Sequence, residues 1–285
     1  MRILVTNDDG IDSEGLQTLA RAVAEHGEVT VVAPDREYSG ASGSLGVLNE
    51  IRPEVHLRHI EGVPEAWAVS GPPALCVLFA GLGVFGRPFD MVVAGINPGV
   101  NVGRSIYHSG TVGAALTARS RGVPAVAVSQ AVEGYGIEGQ GWDEMLKGMH
   151  WDSAASVASA VVGALAGHPV PAPMLVNLNV PNLPLDEMDG WQRTSIGRVP
   201  PRVIAEARLD PIEGRHGAYK VVMEWGDAVS LPDHTDGGAV ERNRVSVTLV
   251  NHLTDVDTPH DRSVEEAAYP ALAAALDSLF STARS

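Results

Sequence analysis

The stretch Ile3-Leu4-Val5-Thr6-Asn7-Asp8-Asp9-Gly10-Ile11-Asp12-Ser13-Glu14-Gly15 decides the fold. Ile3 to Val5 is a short apolar run of the kind that makes a buried strand, and Gly10 permits a sharp turn. Asp12 or Ser13 can cap the helix that follows, with Glu14 in its first turn. That helix carries an apolar stripe at Leu16, Leu19, Ala20 and Val23, the i, i+3, i+4, i+7 pattern. Asp8 and Asp9 therefore fall where a strand hands over to a helix, which is where parallel α/β sheets bind ligands. Two adjacent carboxylates repel each other and would repel a phosphate, and a bound cation relieves both problems. The pair reads as half of a metal site. Asp is also a common turn and capping residue, and this stretch alone does not separate the two readings.

Outward from that turn, Val29 to Pro34 is a second buried strand, and strand, helix, strand within about thirty residues is the βαβ signature. A Gly- and Ser-rich loop, Asp35 to Gly46, leaves the same sheet edge and contains Ser39. Val55 to Ile60 and Ala66 to Val69 read as a hairpin, and Pro72 to Leu82 as a helix with proline in its first turn. Phe89 to Gly95 is another buried strand, and its loop Ile96-Asn97-Pro98-Gly99-Val100-Asn101-Val102-Gly103 opens at the ligand edge. Ser109-Gly110-Thr111 then begins an Ala-rich helix to Ser120. Such an entry offers free N–H groups and hydroxyls to an anion, or is simply an ordinary N-cap. Pro124 to Ser129 and Met174 to Val180 are strands around a helix from Ser153 to Ala166.

From about Gly197 the character changes. Residues 197 to 218 are rich in Arg, Pro and Gly with weak periodicity, which predicts an extended or mobile segment. Tyr219 to Trp225 and Val245 to Val250 alternate like two strands, joined by a long loop through Thr235-Asp236-Gly237-Gly238. A helix from about Ser263 to Phe280 closes the chain, bent near Pro270. The expected organisation is a core over 1–196 and an extension over 197–285.

With 285 residues the chain can bury a large core. Its formal charge is −15, from 20 basic and 35 acidic residues, and only Lys147 and Lys220 are lysines. That argues against nucleic acid or an anionic membrane as partner. Cys76 is the only cysteine, so there is neither an internal disulfide nor a thiolate metal cluster, and it reads as a core residue. There is no signal-peptide pattern and no run of 18 apolar residues, so the expected class is a cytoplasmic enzyme.

The edge loops supply two carboxylates, a hydroxyl and an amide, all hard oxygen donors that suit Mg²⁺, Mn²⁺ or Ca²⁺ rather than zinc. The ten histidines lack H-E-x-x-H spacing. A cation beside the Ser109-Gly110-Thr111 helix end suits phosphoester hydrolysis. The first turn lacks the dinucleotide fingerprint G-x-G-x-x-G, neither lysine lies in a P-loop, and no G-x-S-x-G elbow exists.

Asn7-Asp8-Asp9-Gly10, Ala33-Pro34-Asp35 with Ser39-Gly40-Ala41-Ser42 and Ser44-Leu45, Gly95-Ile96-Asn97 with Gly99 and Asn101, and Ser109-Gly110-Thr111-Val112 together resemble the SurE family. The likeness continues through Thr235-Asp236, Ala239-Val240 and Val245-Ser246-Val247-Thr248. It implies a Rossmann-like three-layer α/β/α sandwich with a C-terminal β-hairpin and helix exchanged between subunits, as a homodimer or homotetramer. It also implies a phosphomonoesterase acting on nucleoside 5′- and 3′-monophosphates with one divalent cation per subunit, Mg²⁺ or Mn²⁺. By the same resemblance Asp8, Asp9, Ser39 and Asn97 hold the metal, Asp8 and Asp9 act in catalysis, and Asn97, Ser109, Gly110 and Thr111 bind the phosphate. On this reading Thr111→Val weakens phosphate binding and leaves metal affinity alone. The alternatives are a phosphatase for another phosphate ester, or a nucleotide- or metal-binding protein without turnover. Tyr38, Gly46, Leu75, Arg104, His108, Thr117, Asn243 and Arg244 depart from the family pattern, which bears on substrate preference and oligomer contacts.

Overall fold

β1 (Arg2–Thr6) runs through the interior of a sheet that has nine strands among the described residues, and everything that positions the site follows from its neighbours. The structure, a computed structural model, describes residues 1–46, 52–133, 142–167, 174–198, 204–227 and 229–250. After β1 come α1 (Glu14–Val23), β2 (Glu28–Pro34), β3 (Val55–Ile60), β4 (Val63–Val69), α2 (Pro73–Gly81), β5 (Met91–Pro98) and α3 (Gly110–Ser120). Next are β6 (Ala125–Gln130), α4 (Trp142–Met145), α5 (Trp151–Gly167), β7 (Leu175–Val180) and β8 (Trp191–Thr194). The last elements are β9 (Ile204–Pro211), β10 (Tyr219–Trp225), α6 (Asp236–Val240) and β11 (Val245–Val250).

The sheet order is β3-β4-β2-β1-β5-β6-β7-β11-β8. Strands β4, β2, β1, β5, β6 and β7 are mutually parallel; β3 is antiparallel to β4, and β11 to β7. β1 pairs with β2 on one side and β5 on the other, so the winding reverses at β1. A reversal of this kind opens a crevice beyond the carboxyl ends of the strands, because the connections depart to opposite faces. Here α1 and α5 cover one face through Leu16, Leu19, Val23, Ala154, Ala158 and Val162. The other face is covered by α2 and α3 through Cys76, Val77, Ala80, Val112, Ala115 and Ala118. Strands buried on both sides read as continuous apolar runs, which is why they were legible. Ser13 is the residue that caps α1, its hydroxyl accepting from Leu16 N at 3.4 Å. Burial pushes the Cys76 thiol up, which keeps it a protonated core residue.

The last third departs from the sequence reading. Tyr219–Trp225 pairs with Ile204–Pro211, inside the stretch of weak periodicity, and not with Val245–Val250. Val245–Val250 instead joins the main sheet between β7 and β8. The stretch at Thr235 to Gly238 is no plain loop, because Thr235 caps the short helix α6 through Gly238 N. The helix read over Ser263 to Phe280 lies outside the described residues. Among the described residues no helix is long and apolar enough to cross a membrane.

The β9–β10 ribbon is two-faced. Leu209 lies opposite Val221, Ala207 opposite Met223 and Pro211 opposite Tyr219, with Leu209 63% and Val221 62% exposed. The opposite face carries Arg208, which pairs with both Glu224 and Asp210.

Candidate active site

Asn7, Asp8 and Asp9 leave the end of β1 directly into the reversal point. Asn7 holds the turn closed, its amide donating to Gly10 O at 3.1 Å and Ser13 Oγ at 2.8 Å. Ile11 N donates to Pro34 O at 2.8 Å, tying the turn to the end of β2.

Asp8 is buried and faces the head of α3. Its Oδ1 accepts from the Thr111 hydroxyl at 2.5 Å, and the backbone N–H groups of Gly110 and Thr111 also point at this carboxylate. An α-helix begins with unpaired N–H groups and a partial positive charge. In this protein Ser109 Oγ accepts from one of these donors, Val112 N, at 3.0 Å, and the Gly110 and Thr111 N–H groups lie close enough to the Asp8 carboxylate to favour its charged form. Gly110 is demanded by that approach, since a Cβ there would stand 2.7 Å from Asp8 Oδ2. The Ser109 hydroxyl proton is the donor left at this helix end among the described contacts.

Asp9 is half-buried, and its Oδ2 has no hydrogen-bond partner; the buried Asn7 Oδ1 has none either. Burial, then the charges of Asp8 and Glu37, push the Asp9 carboxyl up to about 8. Asp8 is also raised, by burial, against the opposing pull of its Thr111 bond. Two neighbouring carboxylates that both resist ionisation form a site short of positive charge.

Ser39 sits on the loop after β2, brought against Asp8 by the bond from Tyr38 N to Asp8 O at 2.7 Å. Its hydroxyl donates to Glu37 Oε1 at 2.8 Å and is exposed. Arg36 lies over the Tyr38 ring at 5.3 Å. Ser42 N reaches His108 O at 3.3 Å, joining this loop to the segment ahead of α3.

Asn97 stands near the end of β5, past a bulge. Ala94 pairs with Ala127 and Asn97 with Ser129, so two residues of β5 oppose one of β6. Gly95 makes this possible, with φ +138° and room for no Cβ beside Val128 O. Such bulges re-aim side chains next to functional sites. The Asn97 amide nitrogen donates to Gly99 O at 2.6 Å, which leaves its oxygen as the donor atom for a cation.

Sequence reasoning missed the polar supports behind these loops. Asn101 is held by Asn179 Oδ1 on its N–H at 2.7 Å and by Ser129 Oγ on its amide at 2.8 Å. Asn177 and Asn179 also donate to Asn101 O. Glu37 was missed as well, although it lies two residues from both Asp35 and Ser39. Asn177 and Asn179 are two residues apart on one strand face, a visible sign of a polar stripe under a loop.

No described group of three or more His, Cys, Asp or Glu side chains forms a metal cluster. Asp8 and Asp9 instead bring two carboxylates to this edge, and the unpartnered Asp9 oxygen is of the kind that fits a hard divalent cation. The bond to Asp8 also revises what Thr111→Val should do. Losing a charge-assisted bond costs about 1.5–3 kcal/mol, so Mn²⁺ binding weakens by roughly 10- to 100-fold. A Mn²⁺ titration showing native affinity would mean that Asp8 is held without this hydroxyl.

Fold and site define a doubly wound α/β protein with an acidic ligand edge at its reversal point. A family profile described as "Survival protein SurE" matches residues 3–201. The chain belongs to the SurE family. It is 39% identical over 253 residues to the 5′/3′-nucleotidase SurE of Erwinia tasmaniensis, covering 88% of this chain and 90% of that protein. It is 38% identical over 251 residues to the 5′-nucleotidase SurE of Alkalilimnicola ehrlichii, covering 88% and 89%. The crystal structure of the SurE protein from Aquifex aeolicus superposes with a TM-score of 0.72 at 28% identity, covering 94% of this chain and 99% of that one.

Proposed function

We propose that the protein hydrolyses nucleoside 5′- and 3′-monophosphates to nucleoside and phosphate, using one Mg²⁺ or Mn²⁺ held by Asp8, Asp9, Ser39 and Asn97. The observation that carries the site is the buried, unpartnered Asp9 oxygen beside an Asp8 clamped on a helix N-terminus. The relatives' activity supplies the substrate class.

A divalent ion held there by Asp8, Asp9, Ser39 and Asn97 would supply Lewis-acid charge for phosphoester hydrolysis. The Thr111 hydroxyl holds the Asp8 carboxylate in one orientation. Asp9 presents the oxygen that has no protein partner. Asn97, fixed by its bond to Gly99 O, offers its amide oxygen from the neighbouring strand. The Ser109 hydroxyl, already accepting from Val112 N, has a proton to give to a phosphoryl oxygen at the head of α3. Ser39 serves by turning its hydroxyl away from Glu37.

Phosphate release from a panel of nucleoside monophosphates and p-nitrophenyl phosphate tests the reading. Release should stop after treatment with a chelator and return with Mn²⁺ or Mg²⁺. Turnover that survives complete metal removal, or none with any ester, overturns it.

The chain from residue 197 serves as the association element, through the apolar face of the β9–β10 ribbon. A lone two-stranded ribbon is marginal in water, and paired exposed apolar rows mark a contact surface. A second copy of the chain would cover that face in a symmetric dimer or tetramer. Light scattering should report at least twice the chain mass, and Leu209→Glu with Val221→Glu should reduce it. An active monomer would refute the assignment.

A further inference from the structure

Asp236 is 1% exposed, carries a carboxylate, and has no part in the cation or phosphate contacts described above. Each of its oxygens is committed to backbone. Oδ2 accepts from Gly103 N at 2.9 Å, and Oδ1 accepts from Gly197 N and Gly237 N, both at 2.9 Å. Asp236 N in turn donates to Ser195 O at 2.9 Å, which locks its own backbone in place. Three parts of the chain thus converge on one side chain: the loop after β5, the segment after β8, and the head of α6.

Gly103 is the part that matters to the chemistry. It opens the short 3-10 helix Gly103–Tyr107, whose first N–H has no partner within its own turn. That helix runs straight into the cap of α3: His108 N donates to Ser105 O at 3.0 Å and Ser109 N to Ile106 O at 3.3 Å. Upstream, Asn101 has its own anchors on β6 and β7. The loop between Asn97 and Ser109 is therefore pinned at two points, Asn101 on the cation side and Gly103 on the phosphate side.

We infer that Asp236 is a positioning residue for the phosphate side of the site, holding Gly103 so that Ser109 and the head of α3 stand where a phosphoryl group is bound. The inference rests on the nucleotidase reading above for what that side binds. A carboxylate suits the task, since it accepts several N–H bonds at once and those bonds are stronger than neutral ones. An amide in its place presents one oxygen and turns an N–H₂ toward backbone donors.

The test compares Asp236→Asn with Glu241→Gln. Glu241 braces the same corner by accepting from Leu231 N at 3.0 Å and does not touch Gly103. Four quantities are read: hydrogen exchange over residues 99–108, Mn²⁺ affinity, inorganic phosphate affinity at saturating Mn²⁺, and kcat and KM for a nucleoside 5′-monophosphate. Asp236→Asn should speed exchange at least tenfold and weaken phosphate at least tenfold. KM should rise with it, while the Mn²⁺ midpoint stays within twofold. Glu241→Gln should move none of these, even where it lowers the melting temperature. Phosphate affinity within twofold of wild type despite faster exchange overturns the inference. So does joint loss of Mn²⁺ and phosphate binding in step with stability in both variants. Gly103→Ala, which strains the anchored residue at φ +55° and leaves the carboxylate intact, must give the same split if Asp236→Asn folds poorly. Phosphate binding and exchange are read without turnover, so failure of the nucleotidase reading shows separately, as a wild type that cleaves no nucleotide.

Discussion

Replacing Asp9 by asparagine will lower turnover roughly 10³-fold, the equivalent of about 4 kcal/mol of transition-state stabilisation. The same change will raise the melting temperature of the metal-free protein. Both effects come from one oxygen. Asp9 Oδ2 is buried without a partner, beside Asp8 and within reach of the Glu37 charge, and its carboxyl is pushed up to about 8. The folded state therefore holds this proton more tightly than the unfolded chain, whose carboxyl titrates at the ordinary value of about 3.8. The destabilisation is nil below pH 4, grows as pH rises through the window from 4 to 8, and is complete above 8. Asparagine removes it, so the gain in stability should be small at pH 4 and largest near pH 8. Each kcal/mol recovered is worth roughly 2–4 °C in a chain of this size. Added Mn²⁺ should reverse the ranking, because the wild type gains stability by binding and the variant gains little. Thermal scans at pH 4 and pH 8, with chelator and with Mn²⁺, check all four corners. A variant no more stable than wild type at pH 8 with chelator would show that Asp9 is not held under electrostatic strain.

Gly110→Ala is expected to lower kcat/KM by about 10², with secondary structure intact. The added methyl would lie 2.7 Å from Asp8 Oδ2, 2.8 Å from its Cβ and 3.0 Å from its Cγ. Alanine is otherwise the best residue for a helix interior, so local propensity favours the substitution. The loss comes from moving the Asp8 carboxylate off the helix end, and displacement on the ångström scale costs about that factor. Circular dichroism with steady-state kinetics separates the two contributions. Native kcat/KM would mean that the chemistry tolerates Asp8 elsewhere.

What could be read in advance, and what could not, divides along burial. β1, β2, β5, β6 and β7 sit between two helical layers, so each is rich in Val, Ile, Leu and Ala and announces itself, even with Asn177 and Asn179 within β7. Their succession with helices gave the parallel sheet, and with it the edge where Asp8, Asp9, Asn97 and Ser109 emerge. β9 does alternate over Ala205 to Asp210, but with small apolar residues at Ala205 and Ala207 and both faces exposed it stands out little from the Arg-, Pro- and Gly-rich stretch around it. β8, at four residues, is too short to show a period. Val245–Val250 did read as a strand, but pairing partners are set by the whole sheet and are not written in one segment. At the site, residue types and order were visible and the donor bookkeeping was not. That the Thr111 hydroxyl at the head of α3 is given to Asp8 follows only when β1 and α3 are placed side by side.

The bonds that shape this site close very long stretches of chain. Thr111 and Asp8 are 103 residues apart, and Gly103 and Asp236 are 133 apart. Closing such loops is slow and entropically opposed until the intervening sheet has paired. A nascent chain still short of residue 111 already contains both aspartates, yet nothing orients them and nothing keeps water from them. Ion capture thus waits at least until residue 111 has been made and α3 has packed beside β1, although both aspartates lie among the first ten residues.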